Sequence, residues 1–427
     1  MNKWQTKQIK DLGRVVTGKT PPKIEPHYFD GDELFISPKD LAWDQLYVTQ
    51  TETRVSTKAL EKFKNQVIPK DTVMFTSLSF GFGKMGITSR ASLTNQQINS
   101  IVVNQDNSFR FVFYLLRACK PFIFAYNSGI DTPIVPKSVF ERIEVTCPVL
   151  PLQYKIAGIL WAYDELIQNN KRRIALLEKV AEELYREWFI RLRFPGHEDV
   201  KVLKGVPQGW DLVKLEYAFK FTGGGTPSKE VGRYWNGGDV NWFTPSDVTG
   251  ADGMFLERSG DQCTEEGFNN SAAKMFPRYS VMLTSRATIG AIGINLTPAC
   301  TNQGFITCIP NARYPLPYLY HWIKLAKPHF ESLAVGATFA ELTKGTFKRI
   351  KILTPPESTV TEFARIELPL FKAIEELLKT NRRLIETRDK LLPRLMVGKI
   401  SVDKLDIQFP PSMAEEVSAG LHITTHA

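Results

Sequence analysis

The hexapeptide Trp242-Phe243-Thr244-Pro245-Ser246-Asp247 resembles an earlier hexapeptide, Phe35-Ile36-Ser37-Pro38-Lys39-Asp40, which stands 207 residues before it. Further pairs follow in the same order, at separations that drift only between 206 and 210 residues. They are Gly18-Lys19-Thr20-Pro21 with Gly224-Gly225-Thr226-Pro227, Met74-Phe75-Thr76-Ser77 with Met282-Leu283-Thr284-Ser285, Thr94-Asn95-Gln96 with Thr301-Asn302-Gln303, and Arg172-Arg173-Ile174 with Arg382-Arg383-Leu384. The preserved order indicates duplication of a unit of roughly 200 residues, which is too long for a solenoid repeat.

The first part of each copy is predicted to be a mixed α/β domain. Glycine, proline and aromatic residues separate short β-prone runs such as Thr72-Val73-Met74-Phe75. Helices are expected at residues 111–117 and 317–323. We place these two domains at residues 1–150 and 196–356, so that the whole chain is of the α+β class.

The second part of each copy is predicted to be a long helix. The first occupies residues 151–195 together with a linker, and the second occupies residues 357–398, followed by a C-terminal tail at 399–427. Apolar residues recur at steps of three and four, as on one face of a helix. Pro369 is expected to kink or restart the second helix, and Pro393 to end or bend it.

The two apolar stripes are expected to pair with each other, because an isolated long helix would leave its stripe in water. One asparagine falls in each stripe, and it either fixes the register or lies wet at the edge of the seam. The pairing residues are Ile156, Ile159, Tyr163, Leu166, Asn170, Ile174, Leu177 and Leu184 in the first helix, and Leu370, Ile374, Leu377, Asn381, Leu384 and Leu391 in the second.

Composition and charge favour a polyanion partner. The 427 residues include 54 Lys and Arg against 45 Asp and Glu, which leaves a net charge of +9. We expect no signal peptide, no membrane-spanning helix and a cytoplasmic location. The five cysteines lack CxxC spacing and are expected to be buried thiols rather than disulfides or zinc ligands.

Catalytic signatures are weak throughout the chain. Residues 13–20 match the G-x-x-x-x-G-K-T phosphate-binding pattern, but Pro21-Pro22 follows where a helix should begin. Thr354-Pro355-Pro356-Glu357 lacks the amide and the aromatic ring of a methyltransferase tetrad, and no histidines have HExxH spacing. The recurring Asp40 and Asp247 are more easily explained as turn caps than as a nuclease site. We expect no cofactor and no metal.

The loops of both domains carry side chains suited to DNA. Lysine and arginine bind phosphate or guanine, while asparagine and glutamine can bind adenine. For each single residue a structural role is an equally good interpretation. The candidates are Lys19, Lys23, Tyr28, Ser77, Lys84, Asn95 and Gln96 in the first domain, and Lys229, Arg233, Tyr234, Ser285, Arg286, Asn302 and Gln303 in the second.

Several motifs resemble the DNA-specificity (S) subunit of type I restriction-modification systems, and the resemblance covers about residues 1–400. The motifs are Gly223-Gly224-Gly225-Thr226-Pro227-Ser228, Tyr234-Trp235, Trp242 to Asp247, Thr301-Asn302-Gln303-Gly304-Phe305, Ile156 to Asp164 and Lys390 to Met396. The resemblance implies two target-recognition domains, each recognising one half of a bipartite, asymmetric DNA sequence. It also implies that the two long helices form an antiparallel coiled coil between the domains.

The resemblance further implies partners. They are double-stranded DNA, two adenine-N6 methyltransferase subunits and ATP-dependent restriction subunits, so that this chain itself would be non-catalytic. The first copy departs from the family pattern, with Lys19 where Gly225 stands later and Gln97 where Gly304 stands. Two alternatives remain at this point, a P-loop ATPase and a spacer protein that carries two modules without binding DNA.

Overall fold

The computed structural model describes residues 4–43, 45–78, 81–128, 134–336 and 340–418. The chain forms two compact units, residues 1–168 with 382–427 and residues 169–381, which we call the first and second units. Each unit therefore contains one copy of the duplicated α/β sequence and a segment of both long helices. The finer five-part division drawn from the sequence stays a prediction.

In the residues that the structure describes, the first unit has ten short strands and four short α-helices, followed by the first long helix. They are β1 (Trp4–Gln8), α1 (Ile9–Leu12), β2 (Gly13–Thr17), β3 (Glu33–Ile36), β4 (Tyr47–Val48), β5 (Thr53–Val55), α2 (Thr57–Lys62), β6 (Val73–Thr76), β7 (Met85–Thr88), β8 (Ser92–Thr94), β9 (Ile98–Val103), α3 (Phe109–Ala125), α4 (Lys137–Phe140), β10 (Glu144–Pro148) and α5 (Leu150–Tyr185). A π-helical turn at Arg186–Ile190 extends α5.

The second unit repeats this order with additions: a two-stranded hairpin at its start, a short helix at Pro245–Thr249, and a break that divides the counterpart of α3 into two helices. Its elements are β11 (Val202–Leu203), β12 (Val206–Pro207), β13 (Asp211–Lys214), α6 (Leu215–Ala218), β14 (Lys220–Gly223), β15 (Val240–Phe243), α7 (Pro245–Thr249), β16 (Phe255–Leu256), β17 (Asp261–Cys263), α8 (Glu265–Asn269), β18 (Val281–Thr284), β19 (Ile292–Asn295), β20 (Ala299–Thr301), β21 (Phe305–Ile309), α9 (Leu316–Leu325), α10 (Lys327–Ser332), α11 (Lys344–Arg349), β22 (Lys351–Thr354) and α12 (Glu357–Met396).

The sheets of the two units have the same topology, which confirms the duplication. The first unit has a five-stranded sheet in the order β2-β9-β6-β7-β4 and a three-stranded sheet in the order β5-β3-β8. The second unit has β14-β21-β18-β19-β16 and β17-β15-β20. Within the small sheets, β3 runs parallel to β8 and β15 runs parallel to β20.

Residue-level detail follows the duplication as well. Asp71 and Tyr279, which stand just before β6 and β18, both adopt the left-handed conformation with φ of 63°. The central strands β6 and β18 are buried along their whole length. Strands buried on both faces need continuous apolar or small side chains, as in Val73-Met74-Phe75-Thr76, rather than an alternating pattern.

The helices predicted at 111–117 and 317–323 are confirmed as parts of α3 and α9. Both helices pack into the main core of their unit: α3 contributes Phe111 to Leu116, and α9 contributes Tyr318, Leu319 and Ile323. The cysteines are free thiols, and all but Cys119 are buried. Burial raises the pKa of Cys119 and of Cys147 to about 11, so both stay protonated at neutral pH.

The long helices contact each other inside each unit. In the first unit Arg388 of α12 forms a buried ion pair with Asp164 of α5. In the second unit the Asn170 amide donates to Asn381 Oδ1 at 2.9 Å, and the rings of Tyr185 and Phe363 pack 5.9 Å apart. In this unit the residue number rises along α5 as it falls along α12, so the two segments run antiparallel. That the two helices form a coiled coil stays a prediction.

The stripe residues expected at the seam differ in burial. The seam buries Asn170, Ile174 and Asn381, so the asparagines are not exposed to solvent at its edge. Leu166 was expected in the seam but is 45% exposed, and the adjacent Ile167 is buried in its place. A shift of one residue turns a side chain by about 100° around a helix, which moves it off the stripe. Of the remaining residues, Ile156 is buried, and Ile159, Tyr163, Leu177, Leu184, Leu370, Ile374, Leu377, Leu384 and Leu391 are half-buried or buried.

Helix α12 neither restarts at Pro369 nor ends at Pro393, because it continues to Met396. The alternatives, that it kinks at Pro369 or bends at Pro393, stay predictions. Proline removes one backbone hydrogen bond from a helix. Pro369 and Pro393 are both exposed, as are Arg365 and Asp389 one turn earlier, so water can satisfy the carbonyls that lose their donors. Among the described residues, no helix is long and apolar enough to cross a membrane.

Candidate nucleic-acid interface

Four loops of the first unit lie close together at one end of the strands of its two sheets. Strands β2, β3, β6 and β8 all end there, and backbone hydrogen bonds tie the loops together: Gly18 N–H to Ile98 O at 3.2 Å, Asn95 N–H to Ile36 O at 2.9 Å, and Ser77 N–H to Gln97 O at 2.9 Å. We call residues 18–25, 37–40, 77–78 with 81–84, and 95–97 the first loop cluster. Four separate chain segments thus present their side chains from one surface.

The second unit builds the same arrangement. Gly225 N–H donates to Thr301 O at 2.9 Å, Asn302 N–H to Phe243 O at 3.1 Å, and Ser285 N–H to Gly304 O at 2.7 Å. We call residues 224–234, 244–247, 285–291 and 302–304 the second loop cluster. Two such clusters in one chain give two surfaces of related shape and different side chains.

Glycine is required where the loops approach most closely. A Cβ atom at Gly18 would lie 2.0 Å from the carbonyl oxygen of Asn95, and one at Gly224 would lie 2.0 Å from that of Thr301. Any larger residue would push the loop that follows β2 or β14 away from its neighbour. These glycines therefore set the distance between the G-x-T-P loop and the T-N-Q loop in each unit.

Asn95 and Asn302 brace the loops in which they lie. Asn95 Oδ1 accepts from the backbone N–H of Gln97 at 3.0 Å, and Asn302 Oδ1 accepts from that of Gly304 at 2.9 Å. This local bond holds the turn, as short amide side chains often do. Their side-chain amide groups are half-buried, so the bracing role is the one that the geometry supports.

Asp40 and Asp247 are turn caps, as the sequence indicated. Asp247 Oδ2 accepts from the backbone and hydroxyl of Thr244 at 2.6 and 2.8 Å, and Asp40 Oδ2 accepts from the backbone and hydroxyl of Ser37 at 2.8 and 2.7 Å. The second oxygen of each carboxylate accepts a backbone N–H from the next loop, that of Glu52 or Gly260. Both carboxylates are thereby committed to holding loops together.

A threonine–glutamine hydrogen bond links two loops in each cluster. Thr20 Oγ1 donates to Gln96 Oε1 at 2.8 Å, and Thr226 Oγ1 donates to Gln303 Oε1 at 2.7 Å. Both glutamines are exposed. The structure thus brings together two of the predicted DNA-contacting residues with threonines that the sequence analysis had not selected.

Three of the predicted contact residues are buried. Tyr28 is 7% exposed and packs against Phe63, while Ser77 and Ser285 are 5% and 3% exposed and their backbones hold the adjacent loop. Side chains in these positions pack beneath the loops of the clusters and are not accessible to a ligand. The sequence could not separate such supporting residues from surface ones, since both lie in the same short loops.

The basic residues of the first cluster lie at its surface. Lys23 is exposed, and the ammonium group of Lys19 lies 5.6 Å from the ring centre of Phe63. Lys84 Nζ donates to the Pro38 carbonyl at 3.3 Å. These are weak or single contacts, and a phosphate could replace them at little cost.

The basic residues of the second cluster form exposed ion pairs. Lys229 lies 3.3 Å from Asp261, Arg233 lies 2.9 Å from Glu266, and the Arg286 guanidinium lies 2.9 Å from Glu341. Exposed pairs of this kind contribute about 0–1 kcal/mol, so they position the cations without immobilising them. Tyr234 is half-buried beside the Arg233 guanidinium.

Two lysines that the sequence analysis missed also lie beside the clusters. The stem of Lys120 lies against Gly83, and that of Lys327 lies against Gly290; a Cβ added to either glycine would come within 2.5 Å of the stem. Both glycines have left-handed φ angles, 76° and 86°. The two lysines stand 207 residues apart, so a systematic comparison of the two copies would have identified them.

The G-x-x-x-x-G-K-T pattern does not form a phosphate-binding loop. Residues 13–17 are strand β2, paired along its length with β9, and the residues that follow Lys19 form turns and a short 3-10 helix at Pro26–Tyr28. A P-loop needs its glycine-rich segment to curl before a helix N-terminus. The structure therefore gives the P-loop ATPase alternative no support. Within the described ranges, no group of three or more His, Cys, Asp or Glu residues could hold a metal ion.

Comparison with known proteins places the duplicated unit in a family. The family model described as "Type I restriction modification DNA specificity domain" matches residues 1–179 and 207–386. The Type I restriction enzyme HindI specificity subunit of Haemophilus influenzae is 30% identical, over 94% of this chain and 100% of the relative. The Type I restriction enzyme MjaIX specificity subunit of Methanocaldococcus jannaschii is 26% identical over 94% of each chain.

A solved structure shares the fold. The crystal structure of the type I restriction-modification system S subunit from M. genitalium matches with a TM-score of 0.58 at 15% identity, covering 92% of this chain and 96% of that one. The duplicated topology, the two loop clusters and the family match agree on one assignment. The chain belongs to the type I restriction-modification DNA specificity family and contains two copies of its specificity domain.

Proposed function

We propose that this chain is the sequence-specific DNA-binding subunit of a type I restriction-modification complex. Each unit would bind one half of a bipartite target through its loop cluster. The observation that carries the proposal is the presence of two clusters with a shared frame but different residues at equivalent positions, such as Lys19 against Gly225 and Gln97 against Gly304. Surfaces that differ in this way would recognise different bases, so the target need not be palindromic.

The candidate contact residues fall into two classes under this proposal. Exposed cations, Lys19, Lys23, Lys229, Arg233 and Arg286, would bind phosphate or guanine, and the exposed amides Gln96 and Gln303 would donate or accept hydrogen bonds. Contacts to phosphate release counterions, so affinity would fall steeply as salt rises. The net charge of +9 is consistent with this behaviour.

The helices α5 and α12 would set the separation of the half-sites and dock partner subunits. Each helix has residues in both units, so its length constrains how far apart two bound half-sites can be. The partners would be two copies of an adenine-N6 methyltransferase subunit and, for cleavage, ATP-dependent restriction subunits. Catalysis would reside in those partners, and the cytoplasmic location expected from the sequence stays a prediction.

Selection of bound sequences tests this function. The full chain, assembled with methyltransferase subunits, would be mixed with a pool of random duplexes, and the retained duplexes sequenced. The expected result is two clusters of preferred bases separated by a fixed number of unselected positions. A single uninterrupted motif, or no preference at all at moderate salt, would contradict the proposal.

A further inference from the structure

One side-chain pair is the same in both loop clusters. Thr20 donates to Gln96 at 2.8 Å in the first unit, and Thr226 donates to Gln303 at 2.7 Å in the second. In each unit the pair bridges the loop after one strand to the loop before another. The close approach of Gly18 or Gly224 to the T-N-Q loop brings the two partners within reach.

The hydrogen bond from the threonine determines which atoms of each glutamine amide face a ligand. The threonine hydroxyl donates to Oε1, so the Nε2 group with its two N–H donors points away from the threonine. Both glutamines are exposed, and within the part of the chain that the structure describes no hydrogen bond engages either Nε2. Each pair therefore presents the two N–H donors of Nε2 at its outer end, while Oε1 has one of its two lone pairs occupied by the threonine.

The residues around the pairs are not the same in the two clusters. Lys19 precedes Thr20 where Gly225 precedes Thr226, and Gln97 follows Gln96 where Gly304 follows Gln303. Lys84 in the first cluster corresponds to Ala291 in the second. Residues that differ can distinguish two half-sites, whereas an identical pair in an identical place cannot.

We propose that the Thr20–Gln96 and Thr226–Gln303 pairs bind a hydrogen-bond acceptor that both half-sites share. This inference rests on the proposed function and assigns the pairs a part in it. The shared acceptor is either a phosphate oxygen of the backbone or the acceptor edge of one base that occurs at the same place in each half-site. The pairs align both units on DNA in the same way, and the unlike residues around them supply the discrimination.

The pairing makes this contact stronger than a free glutamine would make it. A glutamine side chain on a surface loses rotamer freedom when it binds, and the threonine has already restricted that freedom. A hydrogen bond to a charged acceptor is worth about a tenfold change in affinity or more. Loss of the threonine hydroxyl would remove only the restriction, so its effect is smaller.

Equilibrium binding of the full chain with its methyltransferase subunits tests the inference. The duplexes are the selected target and an unrelated duplex of equal length. We expect Gln96→Ala and Gln303→Ala each to weaken target binding about tenfold, and the double variant about a hundredfold. Gln303→Glu weakens it further, because a carboxylate replaces the donor, and Thr226→Val weakens it less than Gln303→Ala.

Two controls separate a DNA contact from a structural role. Gln105→Ala changes an exposed glutamine that follows β9 at its other end, and should leave binding within twofold. The thermal unfolding midpoint of each glutamine variant should equal that of the unsubstituted protein, because both side chains are exposed. A variant that lost affinity only together with stability would overturn the inference.

The same experiment identifies the acceptor. If the acceptor is phosphate, the glutamine variants weaken binding to both duplexes equally. An uncharged methylphosphonate at one position per half-site then removes the difference in affinity between the variant and the unsubstituted protein. If it is a base, only the target loses affinity, and selectivity relaxes for the same base in each half-site. Either result supports the inference. Binding by the double variant within twofold of normal, or relaxation at different bases in the two halves, overturns it.

Failure of the proposed function would look different. In that case the unsubstituted complex would show no pair of separated base clusters in the selection described above, before any variant was measured. Such a result would overturn the inference along with the function on which it rests. If the selection returned two separated base clusters but the glutamine variants bound the target as tightly as the unsubstituted protein, only the inference would be overturned.

Discussion

His321 and Glu367 form a hydrogen-bonded pair inside the second unit, with Nε2 and Oε2 3.0 Å apart and both side chains fully buried. Burial raises the pKa of Glu367 to about 9 and, with a smaller contribution from nearby Lys324, lowers that of His321 to about 3. Desolvation of both groups thus outweighs their mutual attraction, and at neutral pH the pair is a protonated carboxyl beside a neutral imidazole.

This pair predicts a loss of stability at high pH. Between pH 6.5 and 9 the folded chain holds the Glu367 proton, whereas the unfolded chain has lost the protons of both groups, so stability falls as pH rises through this range. Between about 4.5 and 6.5 each state holds one proton, which leaves a plateau, and below about 4.5 the unfolded chain binds the extra proton, so stability falls again towards pH 3.

Urea unfolding of the full chain and of Glu367→Gln at several pH values measures the effect. We expect the unsubstituted protein to lose up to about 1.4 kcal/mol per pH unit more than the variant between pH 6.5 and 9. Glu376→Gln, which changes an exposed residue of the same helix, is the matched control. Parallel pH profiles for Glu367→Gln and the unsubstituted protein would show that Glu367 is ionised in the fold.

For single residues, the sequence indicated which side chains lie in the loops more accurately than it indicated what each of them does. It selected Gln96 and Gln303 as DNA contacts, which stays a prediction, although both are exposed, and it gave Asp40 and Asp247 their capping role. It could not tell that Tyr28 is buried, because burial depends on which distant segment covers a loop residue. The threonine partners were missed because a hydrogen bond across 76 or 77 positions leaves no local pattern.

The seam of the two long helices contains a buried polar contact, from the Asn170 amide to Asn381 Oδ1 at 2.9 Å. Both side chains are nearly inaccessible, at 2% and 5% exposure. A buried polar group that loses its partner keeps the full cost of desolvation, whereas removal of both partners can be nearly neutral. This asymmetry makes the contact testable by a double-mutant cycle.

We expect Asn381→Leu alone to lower the free energy of unfolding by about 1–3 kcal/mol, because Asn170 then loses this partner in an apolar seam. The double variant Asn170→Leu/Asn381→Leu should recover most of that loss. Chemical denaturation of the four proteins of the cycle measures both values. Additive losses, with the double variant the least stable, would show that the two asparagines do not depend on each other.

The sequence predicted the long helices more accurately than any other element. The apolar period located α5 and α12 to within a few residues of their observed ends. It misplaced the seam at Leu166, since a stripe with steps of three and four can be continued through either of two adjacent apolar residues. The strand order could not be predicted from the sequence. Strands of two to six residues are too short for their hydrophobic pattern to specify which strands they pair with.

Across the whole molecule, α5 and α12 each contribute residues to both units, and under the proposed function their length sets the spacing of the half-sites. Seven added residues make about two helical turns, which keep the same face towards the partner helix and add about 10 Å. One base pair adds about 3.4 Å to a DNA duplex. Equal insertions in both helices should therefore lengthen the target spacer by about three base pairs.

Insertions after Gln168 and after Asn381, at the division between the units, test this relation. Sequencing of selected duplexes should return the same two base clusters with a longer gap. An insertion in one helix alone puts the stripes out of register and should destabilise the protein instead. An unchanged gap in the double insertion would mean that the helices do not set the spacing.

Under the proposed function, the two loop clusters bind two separate stretches of one DNA molecule. A footprint of the full complex on its target, at saturating protein, tests it most directly, together with the variant Lys229→Glu/Arg233→Glu in the second cluster. We expect two protected stretches with an unprotected gap, and loss of only one stretch in the variant. One continuous protected stretch, weakened evenly by the variant, would contradict it.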